Sequence, residues 1–188
     1  MALGKKTPKP IPTPEDVIRS RIGRLYDIED IKAFLVRLVT VGAIVYVLFF
    51  VVFGLMTVRD NDMHPRISSG DLILYYRLPD TVHNQDILVF EKEGTAYIGR
   101  VVARPGDTVE ITEDADLKVN NSFVWEGNIF YDTPQYEGGI EYPVVLQEDQ
   151  YFVLCDYRVG GKDSRYFGPV SETEVLGKAI TVIRRNGL

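Results

Sequence analysis

The sequence predicts a mainly β fold: an antiparallel, partly closed β domain over residues 59–188, carried behind one N-terminal transmembrane helix. Three observations lead there. Residues 38–58, "LVTVGAIVYVLFFVVFGLMTV", are an uncharged apolar run. From residue 59 onward, short stretches rich in Val, Ile, Tyr and Phe alternate with turn residues. Charge is unevenly divided: residues 1–37 carry eight Lys/Arg against five Asp/Glu, and residues 38–188 carry thirteen against twenty-two.

Taken in order, residues 1–13, "MALGKKTPKPIPT", are Pro-rich and basic and are expected to lack structure on the cytoplasmic side. Thr13 then reads as an N-cap with Pro14 in the first helical turn. Ile18, Ile22 and Leu25 fall on one face, with Arg19, Arg21 and Arg24 available to lipid headgroups. An amphipathic helix on the inner membrane surface is the expectation, and a plain solvated helix is its alternative. At ~1.5 Å per residue the run 38–58 spans roughly 31 Å, the thickness of a bilayer's hydrocarbon core. A buried core helix rarely runs so long without a polar face. A cleaved signal peptide would have a shorter apolar region ending in small residues. The basic leader favours a cytoplasmic N-terminus and an extracellular body, in a single-pass cell-membrane protein.

Beyond the anchor, "DLILYYRL", "DILVFE", "TAYIGRVVA", "TVEIT", "LKVN", "EYPVVL", "QYFVLC" and "GKAITVIR" read as strands. Pro105-Gly106 suits the centre of a type II turn, and Asn120-Asn121 a tight hairpin. Residues 122–139, "SFVWEGNIFYDTPQYEGG", break the pattern and read as an insertion over the sheet. The acidic body argues against nucleic-acid binding. A single cysteine, Cys155, excludes an internal disulfide and a multi-cysteine zinc site. No cofactor or metal is expected.

Three motifs carry the chemistry. "DMHPRISSGDLILYYR", residues 62–77, resembles the nucleophile segment of bacterial type I signal peptidases, Ser-Met-x-Pro followed by Gly-Asp. "YIGRVVARPGDTVEI", residues 97–111, resembles their general-base segment, Tyr-Ile-Lys-Arg-Val-Ile-x-x-Pro-Gly-Asp. "CDYRVGGKDSRYFGPV", residues 155–170, resembles their Gly-Asp-Asn-Arg-x-x-Ser-x-Asp-Ser-Arg-x-x-Gly segment. The three occur in family order behind one anchor and cover the exported domain.

What the resemblance implies is a Ser–Lys dyad that cleaves signal peptides, and the departures fall on that dyad. Asp62 stands at the nucleophile position, Gly99 at the lysine base and Gly161 at the serine that orients it. Met63, Pro65, Gly70, Asp71, Tyr97, Arg100, Pro105, Gly106, Asp107, Asp156, Arg158, Asp163, Ser164, Arg165 and Gly168 keep the pattern. The residues themselves argue likewise. A Ser–Lys dyad needs a lysine whose pKa is depressed by an apolar pocket, and Gly99 has no side chain to take a proton. A carboxylate at Asp62 can attack an amide only to form an anhydride, which reverts faster than it expels an amine. Aspartic catalysis needs a second carboxylate, and Asp156 and Asp163 are expected to pair with Arg158 and Arg165 instead.

Three substitutes are Ser164 with Lys162 as a displaced dyad, Cys155 with His64, and Asp62 with His64 as metal ligands. The i, i+2 spacing does not direct Ser164 and Lys162 at each other, Cys155 reads as a small buried residue ending a strand, and two ligands without a third make a poor metal site. The expectation is therefore no catalytic residues, a groove lined by Asp62, Met63, Pro65, Tyr97 and Gly99, and binding of an extended peptide by strand addition. Asp62 follows the apolar run closely, so this groove is expected to face the membrane. Within the family the chain resembles SipA-type accessory factors of sortase-built pili, which implies pilin subunits and a pilus-specific sortase as partners beside the bilayer. An active peptidase with a non-standard site and a decoy regulator of secretion are the alternative readings.

Overall fold

The computed structural model describes residues 13–184, in two compact units that meet in sequence between Val47 and Leu48. The basic tail expected to lack structure lies, up to residue 12, outside the described residues.

The first unit is helix α1, Pro14–Val47. Thr13 caps it: its hydroxyl accepts the Asp16 N–H at 3.3 Å, and its own N–H donates to the Asp16 carboxylate at 3.2 Å. This is a capping box with Asp in place of Glu, and it satisfies two of the helix's orphan donors. The expected surface helix and the anchor are one unbroken helix, because no proline follows Pro14 until Pro65. Every described side chain of α1 is exposed; those of Ser20, Arg24, Leu25 and Tyr26 lie outside the described set. With the turn that follows, this helix is long and apolar enough to cross a membrane.

The anchor ends sooner than the apolar run. A π-helical turn, Leu48–Val52, gives way to strand β1, Phe53–Thr57. These residues find their backbone partners in β2, Leu72–Tyr76, from Phe53 opposite Tyr76 to Thr57 opposite Leu72. Gly54 permits the pairing, since a Cβ there would lie 2.1 Å from the Tyr75 ring. The expected boundary at residue 58 is thus too late, and Val58 is a buried core residue.

The other strands are β3 (Ile87–Lys92), β4 (Thr95–Ala103), β5 (Thr108–Ile111), β6 (Leu117–Val119), β7 (Ser122–Phe123), β8 (Val144–Val145), β9 (Gln150–Leu154), β10 (Val170–Ser171) and β11 (Val175–Ile183), with a short helix α2 (Ser164–Phe167). They build a seven-stranded sheet, β1-β2-β11-β3-β4-β9-β10, and a four-stranded sheet, β7-β6-β5-β8, with every pairing antiparallel. The expected antiparallel β domain is therefore present, divided into two sheets. Gly106 has φ +84° and the Asp107 N–H returns to the Arg104 carbonyl at 3.0 Å, the turn that Pro105-Gly106 predicts. Asn120 and Asn121 both take positive φ between β6 and β7, as a two-residue hairpin requires.

The apolar run of β3 does not alternate because both of its faces are covered. Val89 packs with Val58, Met63, Ile67, Ile73, Tyr75 and Ile98, whereas Leu88 and Phe90 pack with Val101, Val153 and Val170. A third cluster, including Ala103, Val109, Ile111, Leu117, Phe152 and Leu154, joins the two sheets.

Three buried arginines tie the loops to this frame. Arg100 donates from Nε and Nη2 to Asp156 at 2.7 and 2.6 Å. Arg165 donates to Asp163, to the Pro134 carbonyl and to the Tyr136 hydroxyl. Arg158 departs from expectation. It pairs with Glu126 at 2.7 Å and Thr133 at 2.9 Å, so Asp156 serves Arg100 instead. Arg158 and Arg165 thereby hold the 122–139 insertion in place.

Breaking such a pair leaves a buried charge without compensation, which costs about 3–5 kcal/mol. Arg165→Met should lose stability of that order, read as a lowered guanidinium midpoint by near-UV circular dichroism on the full chain in detergent. Lys118→Met, whose partner Glu110 is 4.0 Å away at the surface, should change stability by about 0.5 kcal/mol or less. Equal effects would show that the buried pair does not carry the frame.

Candidate functional site

The loop between β1 and β2 places Asp62. Its base is closed by backbone: Val58 N–H to the Asp71 carbonyl and Gly70 N–H to the Val58 carbonyl, each 2.9 Å. The Asp71 carboxylate accepts the Ser68 N–H at 3.0 Å, which gives the retained Gly70-Asp71 pair a structural role. The tip docks on the 155–165 segment, where the Asp62 carbonyl accepts the Tyr157 N–H at 2.8 Å and its Oδ2 accepts the Lys162 N–H at 3.2 Å. Burial pushes the Asp62 carboxyl above its ordinary value, and Asp60 and Asp163 add to the rise against the Lys162 N–H.

Asp62 fills the space of a missing side chain. Gly161 has φ +84°, and a Cβ there would lie 2.6 Å from Asp62 Cγ, 2.7 Å from Asp62 Oδ2 and 2.9 Å from Cys155 Sγ. Carboxylate and thiol together occupy the volume that a side chain at residue 161 would need. Cys155 stands where the resembled motif has glycine, a further departure beside those at residues 62, 99 and 161. Its thiol is fully buried and pushed up by burial, Asp163 and Asp62, so no thiolate is on offer near neutrality. His64 is exposed, so it is no activating partner for that thiol.

Gly99 lies opposite Leu88 in the β3–β4 pairing. A Cβ there would meet Val153 Cγ1 at 2.5 Å and the Leu154 carbonyl at 3.2 Å. A side chain at residue 99 would therefore require Val153 of β9 to shift. Neighbouring lysines are engaged elsewhere: Lys162 lies over the Tyr166 ring at 5.1 Å, and Lys92 pairs with Glu174 at 2.6 Å. Ser164 Oγ accepts the Val153 N–H at 3.0 Å in the interior, away from any base role with Lys162. Asp163 is spent on Arg165 and on the Cys155 N–H. Among the described residues no three His, Cys, Asp or Glu side chains gather as a metal site.

The five residues expected to line one groove are divided. Met63 is fully buried in the core, Gly99 is buried against Val153, and Pro65 is exposed. Tyr97 packs on Phe90 and Phe167, with ring centroids 5.9 and 5.6 Å away. An open groove does exist beside them, walled by Leu55, Met56, Thr57 and Arg59 from β1 and its exit, and by Glu91, Thr95 and Ala96 of the β3–β4 hairpin. Among the described residues no strand pairs with the outer edge of β1, nor with the edge of β4 that faces away from β3 between Thr95 and Ile98. The β1 wall was missed because its residues sit inside the apolar run read as membrane anchor.

The packing of residues 62 and 161 is testable by a double-mutant cycle. Gly161→Ser should destabilise by about 2–4 kcal/mol, from crowding against Asp62 and a left-handed backbone. In an Asp62→Ala background the penalty should fall by about 1 kcal/mol or more. Additive losses in urea unfolding would show that the two positions do not share one volume.

The family model described as "Signal peptidase, peptidase S26" matches residues 31–183. A "Probable signal peptidase I-2" from Synechocystis is 31% identical over 133 residues, covering 65% of this chain and 59% of that protein. An "Inactive signal peptidase IA" from Staphylococcus aureus is 26% identical over 149 residues, covering 72% of this chain and 82% of its own. A solved signal peptidase I from Enterococcus faecalis covers 55% of this chain and 100% of its own, at 25% identity and a TM-score of 0.45. The family match spans both the anchor's apolar half and the β unit, and on that ground the chain belongs to the signal peptidase S26 family.

Proposed function

We propose that this chain is a membrane-anchored, catalytically inactive member of its family that binds extended peptide segments, and that its clients are pilin subunits presented to a pilus-specific sortase. One observation carries the first part: the Asp62 carboxylate and the Cys155 thiol fill the place of a side chain at residue 161. A hydroxyl nucleophile, a base to deprotonate it and room to orient that base are all absent from this corner. The naming of a relative as inactive is in keeping with this.

The groove supports the binding half. A peptide laid between β1 and the free edge of β4 would gain main-chain hydrogen bonds on both sides, as strand addition does. With no nucleophile beside it, a segment held there would be released intact. The basic leader supports an orientation with the β unit outside, where anchored substrates are met. The pilin and sortase assignment rests on the likeness to SipA-type factors alone.

Photo-crosslinkers at Leu55 and Ala96, one on each wall, test this in intact cells. The captured chain should be an uncut pilin subunit, with yields reduced about tenfold when the groove is blocked by a bulky substitution at Thr57. Capture only of signal peptides, or of another signal peptidase, would replace the pilin assignment with a decoy role. Recovery of cut products would return the chain to the enzymes.

A further inference from the structure

The β unit's charge is concentrated in one stretch. Residues 107–149 contain eleven Asp/Glu and a single base, Lys118. That lysine is already engaged, over the Phe123 ring at 5.0 Å and beside Glu110. The same stretch displays the three most exposed large apolar side chains among the described residues of the second unit: Trp125 at 95%, Phe130 at 79% and Phe123 at 69%. An indole almost wholly in water gives the fold nothing.

The segment bearing these side chains is held in place. Buried Arg158 clamps Glu126 and Thr133, the Thr133 N–H donates to the Ala115 carbonyl at 2.8 Å, and Tyr131 meets Tyr157 edge-on at 5.1 Å. The result is a concave patch in which Trp125, Ile129 and Tyr131 lie with Asp116 and Asp132. Glu126, also at this patch, has its charge met by Arg158 from within. Neither Asp116 nor Asp132 has an ion-pair partner among the described residues.

We infer that this patch docks a lysine- or arginine-bearing polypeptide segment, with the cation over Trp125 and its charge met by Asp116 and Asp132. Aromatic faces attract cations through the ring quadrupole, and paired carboxylates add a directional charge. The held backbone lowers the ordering cost of binding. A charge-free apolar partner would leave both carboxylates facing it unpaired. An anionic lipid surface or a nucleic acid would be repelled by the surrounding acids. The patch shares no lining residue with the β1–β4 groove, so the inference is independent of the proposed function.

Trp125 is the chain's single tryptophan, so its emission reports on this patch without a label. The full chain in non-ionic detergent should show a saturable emission change with a peptide of about ten residues alternating lysine and glycine, and none with its glutamate counterpart. Asp116→Asn with Asp132→Asn should weaken that response about tenfold, as should raising salt from about 50 to about 500 mM, with circular dichroism confirming the fold. Followed by anisotropy of the labelled lysine peptide, Trp125→Ala should lose about tenfold in affinity and Trp125→Phe less. No saturable response, an equal response to the glutamate peptide, or unchanged affinity in the double aspartate variant would overturn the inference. So would an emission blue-shift with phosphatidylcholine vesicles in place of a peptide response, which would assign the patch to lipid.

Discussion

Three guanidinium groups cut off from water constrain the β unit more than any other feature. Arg158 and Arg165 are wholly inaccessible and Arg100 is nearly so. Each would be prohibitive without a partner, and each has one: Glu126, Asp163 and Asp156. Arg100–Asp156 and Arg158–Glu126 join different segments, and Arg165, paired within its own, also reaches the Pro134 carbonyl and the Tyr136 hydroxyl, so together they fix where β4, the 122–139 insertion and the 155–165 segment lie. The loop bearing Asp62 is then docked on that segment through the Tyr157 and Lys162 N–H groups. The position of the Asp62 loop is thus set by residues remote from its carboxylate.

This separation explains how a scaffold can persist while its reacting positions drift. None of the side chains at residues 62, 99, 155 and 161 belongs to an arginine pair, so exchanging them costs packing, the Lys162 N–H bond to Asp62 and the backbone strain at residue 161 rather than a buried charge. Asp62 and Cys155 fill the space beside Gly161, and Val153 abuts Gly99. On the proposed reading, restoring serine, lysine and serine would require clearing these neighbours as well, and relieving the positive φ at residue 161.

Much of the fold was legible in the sequence because its signals are local. Thr13-Pro14, Pro105-Gly106 and Asn120-Asn121 each dictate a backbone shape through their own chemistry, and each adopts it. The division between helix and strand after Val52 was not legible, since Phe53–Thr57 is as apolar as the helix before it and no charge marks the change. Ion-pair partners were legible only in part. Asp163 and Arg165 pair across a cap, but Arg158 reaches Glu126, which is distant in sequence and revealed only by the fold. At the site, the identities of Asp62, Gly99 and Gly161 could be read, yet their mutual occupation of space could not. Met63 was taken for a groove residue because it flanks Asp62, whereas its side chain turns into the core.

The central claim is that this groove holds a peptide beside a corner that can no longer cut it. Its most direct test is a cleavage assay on the full chain in lipid vesicles, with a signal-peptide-bearing precursor and mass-spectrometric detection of both fragments. The account predicts no product above that formed with empty vesicles, while the precursor still crosslinks to the groove. Turnover above that background, abolished by Asp62→Ala, would contradict it.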